Sequence, residues 1–145
     1  MNPTDGLTRF LLVEDDDDHA ALTLHALKRH RVSNTIDRVS DGVEAMAYLR
    51  RQPPYADKPR PSVMLLDLNM PRMDGHEVLK QVKDDPDLRS LTVVVLTTSE
   101  AETDRVKAYS HHANSYLVKP VSFEQFSKMV DELSLYWGVW NKPAP

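Results

Sequence analysis

Along the chain, short and continuously apolar runs take turns with segments whose apolar residues recur at helical spacing. Residues 10–13, "SVMLLDL" at 62–68 and "LTVVVLTTS" at 91–99 form the apolar runs. Runs of this length without polar alternation predict strands covered on both faces. Weaker strands are expected at 35–39 and 115–118. Between them, Ala20, Leu24 and Leu27 mark a helix over 17–30, and Val43, Ala47 and Leu49 mark one over 40–51. Further helices are expected around 77–82, over 100–110, and over 122–137. Four prolines in residues 53–61 dictate a loop. Five strand–helix alternations predict an open, mostly parallel α/β sheet.

Sheets of this kind gather their ligand site at the carboxyl ends of the strands. Applied here, that rule brings together Glu14 and Asp15 after the first strand and Asp67 after the third. Thr97 follows the fourth strand and Lys119 the fifth. Carboxylates about 4 Å apart repel by about 1 kcal/mol in water and about 4 kcal/mol near a protein surface. Acids crowded at one edge explain one another only if a cation sits between them. A hard divalent ion such as Mg2+ suits oxygen ligands and needs only one or two carboxylates. Asp17 and Asp18 are expected to cap the first helix and complement its dipole, and Asp16 is given no role in the site.

Composition narrows the chemistry. The 145 residues suffice for one domain with a real core; 41% are hydrophobic and 28% charged, as in a folded soluble protein. A net charge of −4 offers no basic surface to nucleic acid, and the lack of cysteine excludes disulfides, thiol chemistry and Cys-type zinc sites. Neither a signal peptide nor a membrane-length apolar run is visible, so a cytoplasmic protein is expected. Lys119 and Thr97 beside a metal ask for phosphate, whose oxygens an ammonium, a hydroxyl and Mg2+ can share. The four glycines stand alone, which excludes a phosphate-cradling loop. The chain is therefore expected to receive a phosphoryl group on a carboxylate, with Asp67 as the nucleophile.

"LLVEDD", "LLDLNMPRMDG", "VVLTTSE" and "YLVKP", in that order, resemble the receiver domains of bacterial two-component response regulators. The resemblance runs from about Arg9 to Leu135. It implies a flavodoxin-like open parallel sheet of five strands in the order 2-1-3-4-5, with five helices and an extended C-terminal helix. By position, Asp67 matches the phosphoacceptor and Asp15 a direct metal ligand. Glu14 matches an acid acting through water, and Asn69 a residue lending its backbone carbonyl to the metal. Thr97 and Tyr116 match a switch pair, Lys119 the lysine that contacts the phosphoryl group, and Pro120 a cis peptide after that lysine. Asp67 to Thr97 spans 30 residues and Thr97 to Lys119 spans 22, as is usual in the family. Asp15 to Asp67 spans 52, longer than usual, with the excess in the proline loop. That loop, "TTSEAETD" and the aromatic tail resemble the stand-alone receivers that accompany phytochrome histidine kinases.

The expected organisation is an N-terminal extension over 1–8, a receiver domain over 9–137 and a tail over 138–145. Too little chain follows Leu135 for an output module, so signalling by protein contact is expected. The expected partners are a sensor histidine kinase of the phytochrome class, a possible downstream phosphorelay protein and a second copy of the chain. A phosphohydrolase with an aspartyl-phosphate intermediate is the alternative, but it needs an acid two residues beyond the nucleophile, where Asn69 stands. His111 and His112 read as surface residues, and Asp74-Gly75 as a turn in which glycine supplies backbone freedom. Phe123, Phe126, Val130 and Leu133 are expected to pack on the sheet. Tyr136, Trp137 and Trp140 are expected to outrun it and form a dimer interface.

Overall fold

The computed structural model describes residues 8–29 and 33–136. Ten elements alternate: β1 (Thr8–Val13), α1 (Asp17–Arg29), β2 (Ser33–Val39), α2 (Gly42–Leu49), β3 (Val63–Leu66), α3 (Gly75–Asp84), β4 (Thr92–Thr97), α4 (Glu102–Ser110), β5 (Ser115–Val118) and α5 (Phe123–Leu135). All strand pairs are parallel and the sheet order is β2-β1-β3-β4-β5, as the resemblance implied.

Period-two alternation divides each central strand between two cores. Leu11, Val13, Met64, Leu66, Val93 and Val95 face α2, α3 and α4, where they meet Ala45, Leu49, Val78, Leu79 and Val82. Phe10, Leu12, Val63, Leu65, Val94 and Leu96 face α1 and α5, where they meet Ala20, Leu27, Phe126 and Val130. A strand covered on both faces has no polar position to alternate with, which is why these three runs are apolar throughout. Each such side chain contributes roughly 1.5–3 kcal/mol by leaving water. These rigid central strands carry the residues at their carboxyl ends.

Helix starts correct one expectation. The α1 cap is Asp16: its Oδ1 accepts hydrogen bonds from the backbone N–H groups of Asp18 at 2.9 Å and His19 at 3.0 Å. Asp17 and Asp18 instead lie in the first turn, where their charge faces the positive end of the helix dipole. Asp41 caps α2, Asp74 caps α3 and Ser122 caps α5, each accepting from the backbone N–H three residues on. The proline loop folds back on the domain, with the Tyr55 ring 5.3 Å from that of Tyr48. In α5, Phe126, Val130 and Leu133 are buried as expected, but Phe123 is 70% exposed. It is the first residue of the helix and lies outside the core that Phe126, Val130 and Leu133 join. Among the described residues, no helix is long and apolar enough to cross a membrane.

Candidate phosphoacceptor and metal site

Glu14, Asp67 and Lys119 each follow directly on a strand, and the parallel ladder runs one residue past those strand ends to hold them. The Glu14 N–H donates to the Val39 carbonyl at 3.1 Å, the Asp67 N–H to the Val13 carbonyl at 3.1 Å, and the Lys119 N–H to the Thr97 carbonyl at 2.7 Å. Their backbones are thus part of the sheet, while their side chains turn into one pocket. Glu14, Asp67, Thr97 and Lys119 are all buried, and Asp15 is exposed at the rim.

Carboxylate oxygens of Glu14, Asp15 and Asp67 all lie within 4.8 Å of one another. The Lys119 ammonium pairs with Glu14 Oε1 and stands 3.6 Å from Asp67 Oδ2. One ammonium cannot neutralise three carboxylates. The Glu14 carboxyl is raised to about 7: burial is the largest cause, the neighbouring Asp67 acts in the same direction, and Lys119 opposes them. A buried acid driven toward its neutral form marks a place short of positive charge. The donor set is hard oxygen throughout, and it fits a divalent metal ion.

Sequence reasoning missed two side chains here. Arg38, on β2, donates from Nε and Nη2 to the Glu14 carbonyl at 2.9 and 2.7 Å, which fixes the backbone from which the acids project. His19, in the first turn of α1, has Nδ1 3.0 Å from the Lys119 ammonium, and its ring stacks on Phe126 at 5.7 Å. Lys119 is 100 residues away, so no sequence spacing signals that contact. His111 and His112 stay outside the pocket: His112 is exposed, with φ 66° just after the C-terminal end of α4.

Two expectations change. The Lys119–Pro120 bond is trans; among the described residues the cis bond is Pro53–Pro54. Trans is the preferred X–Pro isomer by about 0.5–1 kcal/mol. Lys119 is aimed instead by its backbone bond to Thr97 and its contacts with Glu14 and His19. Gly75 is required for space, since a Cβ there would stand 2.3 Å from the Asp67 carbonyl oxygen and 2.7 Å from Leu68 Cα. Gly75→Ala therefore has to push α3 away from the Asp67 backbone. It should destabilise the fold by roughly 1–3 kcal/mol in denaturant unfolding and slow any reaction of Asp67.

Thr97 and Tyr116 meet through Ser99. The Ser99 N–H donates to Thr97 Oγ1 at 3.3 Å, and the Tyr116 hydroxyl donates to the Ser99 carbonyl at 3.0 Å. Asn69 is exposed beside the pocket, its N–H donating to Asp67 Oδ1 at 3.3 Å. Tyr136 is 54% exposed, whereas Trp137 and Trp140 lie outside the described residues.

Comparison with known proteins agrees with this geometry. The family model for the response regulator receiver domain matches residues 10–131. The probable methanogenesis regulatory protein FilR2 of Methanothrix harundinacea is 46% identical over 93% of this chain and 87% of its own length. The response regulator Rcp1 of Synechocystis is 42% identical over 88% of this chain and 86% of its own. A crystal structure of Rcp1 in its Mn2+-bound form superposes with a TM-score of 0.91, covering 95% of this chain and 99% of Rcp1 at 38% identity. The phosphorylated cyanobacterial phytochrome response regulator RcpA superposes with a TM-score of 0.92, covering 96% and 99% at 38% identity.

Proposed function

The chain belongs to the response regulator receiver family, and from that premise we propose that Asp67 accepts a phosphoryl group from a histidine kinase with Mg2+ bound beside it. The carrying observation is the seat of Asp67: buried, among the oxygens of Glu14 and Asp15 on one side and the Lys119 ammonium at 3.6 Å on the other. An Asp67 oxygen attacks the phosphorus, the bond to the donor's leaving group breaks and the leaving group departs with its electron pair, and the phosphoryl group remains on Asp67 beside the Lys119 ammonium. Mg2+ would be held by Asp15, Asp67 and the Asn69 carbonyl, with Glu14 acting through water, and it would neutralise charge on the transferring group. Lys119 holds the phosphoryl oxygens from the far side, and Thr97 donates its hydroxyl to them. Incubation with acetyl phosphate and Mg2+, followed by intact and peptide mass analysis, tests this reading. One phosphoryl group on the Asp67 peptide is expected, and no sustained turnover of generic phosphomonoesters.

The chain acts as a signalling protein rather than an enzyme in this reading. Phosphorylation shifts the packing of Thr97 and Tyr116, and partners read that change in the cytoplasm. Likeness to the phytochrome response regulator RcpA and the bacteriophytochrome response regulator RtBRR supports a phytochrome-class histidine kinase as the phosphoryl donor, and a downstream phosphorelay protein is the further partner in this reading. The chain also dimerises through the end of α5, where Tyr136 is exposed and two tryptophans follow in sequence. Sedimentation at several concentrations should show a dimer for the full chain and a monomer after truncation at Leu135. A full chain that stays monomeric at high concentration, with and without acetyl phosphate, would refute this.

A further inference from the structure

A second polar cluster, of which His76 is the buried member, borders the switch pair, and phosphoryl chemistry makes no direct use of it. His76, the second residue of α3, is 8% exposed, and its Nε2 lies 3.0 Å from Asp104 Oδ1 in the first turn of α4. The other oxygen of that carboxylate accepts from the Ser99 hydroxyl at 2.6 Å. Ser99 is thereby held at every polar group: hydroxyl to Asp104, N–H to Thr97 Oγ1, carbonyl to the Tyr116 hydroxyl. The chain of bonds runs from α3 through α4 to both members of the switch pair.

Two further observations separate this cluster from ordinary surface polarity. First, α4 is weakly seated. Ala108 is the one residue it buries, its Val106 and Tyr109 are exposed, and Ala101 supplies no side-chain cap. A helix with so little apolar contact is positioned by its polar ties, and the His76–Asp104 bond spans to a helix on the neighbouring element. Second, His76 Nδ1 is buried without a partner. Nε2 faces the ionised carboxylate as donor, which leaves Nδ1 a buried ring nitrogen with no hydrogen-bond partner. That is a cost which a leucine of similar volume would avoid. The Ser99 and His76 bonds hold the Asp104 carboxyl below its ordinary range, so it is an ionised acceptor for both.

We propose that His76 and Asp104 are positioning residues, forming a latch that seats α4 and holds Ser99 so that Thr97 is presented as a donor to the phosphoryl group. By accepting the Ser99 N–H, Thr97 Oγ1 uses a lone pair and keeps its own hydrogen free for an anion on Asp67. Latch and phosphoryl group then favour the same arrangement, so each must tighten the other. The proposal rests on the phosphoacceptor reading above.

The test is titration of beryllofluoride, a phosphoryl analogue, into the Mg2+-loaded protein and its His76→Leu, Asp104→Ala and doubly substituted forms. Neither residue belongs to the metal site, so Mg2+ affinity should stay within about twofold. Half-saturation by beryllofluoride should rise about five- to tenfold in each single variant. The double variant should match the singles rather than multiply them, because both substitutions break one tie. The Tyr116 ring resonances should also shift less on saturation than in the parent protein. Unchanged beryllofluoride affinity in both folded variants overturns the latch, as does a loss of Mg2+ affinity of the same size. If the parent protein takes neither beryllofluoride nor acetyl phosphate, the phosphoacceptor reading falls, and the latch falls with it.

Discussion

Asp67→Asn should abolish acceptance of a phosphoryl group while leaving the fold intact. The amide keeps the shape of the carboxylate, and the backbone N–H of residue 67, just past β3, stays hydrogen-bonded to the Val13 carbonyl at the end of β1. What the amide lacks is the negative charge that makes a carboxylate oxygen a nucleophile toward phosphorus, since an amide oxygen has lone pairs but its group is neutral. The loss should be complete, with no phosphoryl mass on any peptide under conditions that label the parent protein. Stability should change little. The substitution removes repulsion from Glu14 and Asp15 along with attraction to Lys119 at 3.6 Å, and these terms oppose each other. Labelling of the variant at the parent's rate would sink the assignment of Asp67.

Mg2+ should stabilise the protein, more so at high pH, and chelation should stop phosphorylation. Burial, reinforced by the neighbouring Asp67 and opposed by Lys119, carries Glu14 from its ordinary 4.5 to about 7. A carboxyl raised in this way favours the folded state below about 4.5, where it is protonated whether folded or unfolded, and that advantage fades as pH climbs through about 7. Without metal, this group therefore makes the protein less stable at pH 8 than at pH 5. Mg2+ reverses the sign by compensating the ionised form. Its affinity should rise with pH and level off above about 7, with a proton released on binding below that point. At a hundredfold excess over its dissociation constant, a ligand of the folded state adds about 2.7 kcal/mol, or roughly 5–10 °C in melting temperature for a domain of this size. Thermal melts at pH 6 and pH 8, with and without Mg2+, measure both effects. Equal stabilisation at the two values would argue against Glu14 as the controlling group.

These expectations rest on contacts of different legibility. The three central strands and the five carboxyl-end residues were readable because they depend on local rules. Strands buried on both faces must be apolar, and parallel sheets expose one set of strand ends. Order and spacing along the chain then sufficed to bring Glu14, Asp15, Asp67, Thr97 and Lys119 to one edge. Element ends were less legible. The run at 62–68 was readable as a strand ending at Asp67, but only the structure shows the regular strand confined to Val63–Leu66, with Asp67 held by one further ladder bond while its side chain enters the pocket.

Capping shows where pattern gives way to geometry. Asp16, Asp17 and Asp18 are chemically equal in the sequence, and only the entry angle of the chain into α1 selects Asp16 as the acceptor for two N–H groups. Gly75 is similar: a turn glycine by its neighbours, yet required because α3 starts against the Asp67 backbone. Phe123 carried the right spacing for the apolar seam and still faces water, since helix periodicity does not say how far along the helix the core extends.

By itself, then, the sequence determined the α/β alternation, the strand cores and the identity of the acidic edge, because periodicity and residue chemistry act over a few neighbours. Only the tertiary structure decided that His19 reaches Lys119, that Arg38 braces Glu14, and that His76 and Asp104 meet across two helices. Each of those contacts brings in a residue (His19, Arg38, His76 or Asp104) that is polar and unremarkable where it stands in the chain. Their partners are chosen by sheet order and helix packing, and neither is written in any local run of residues.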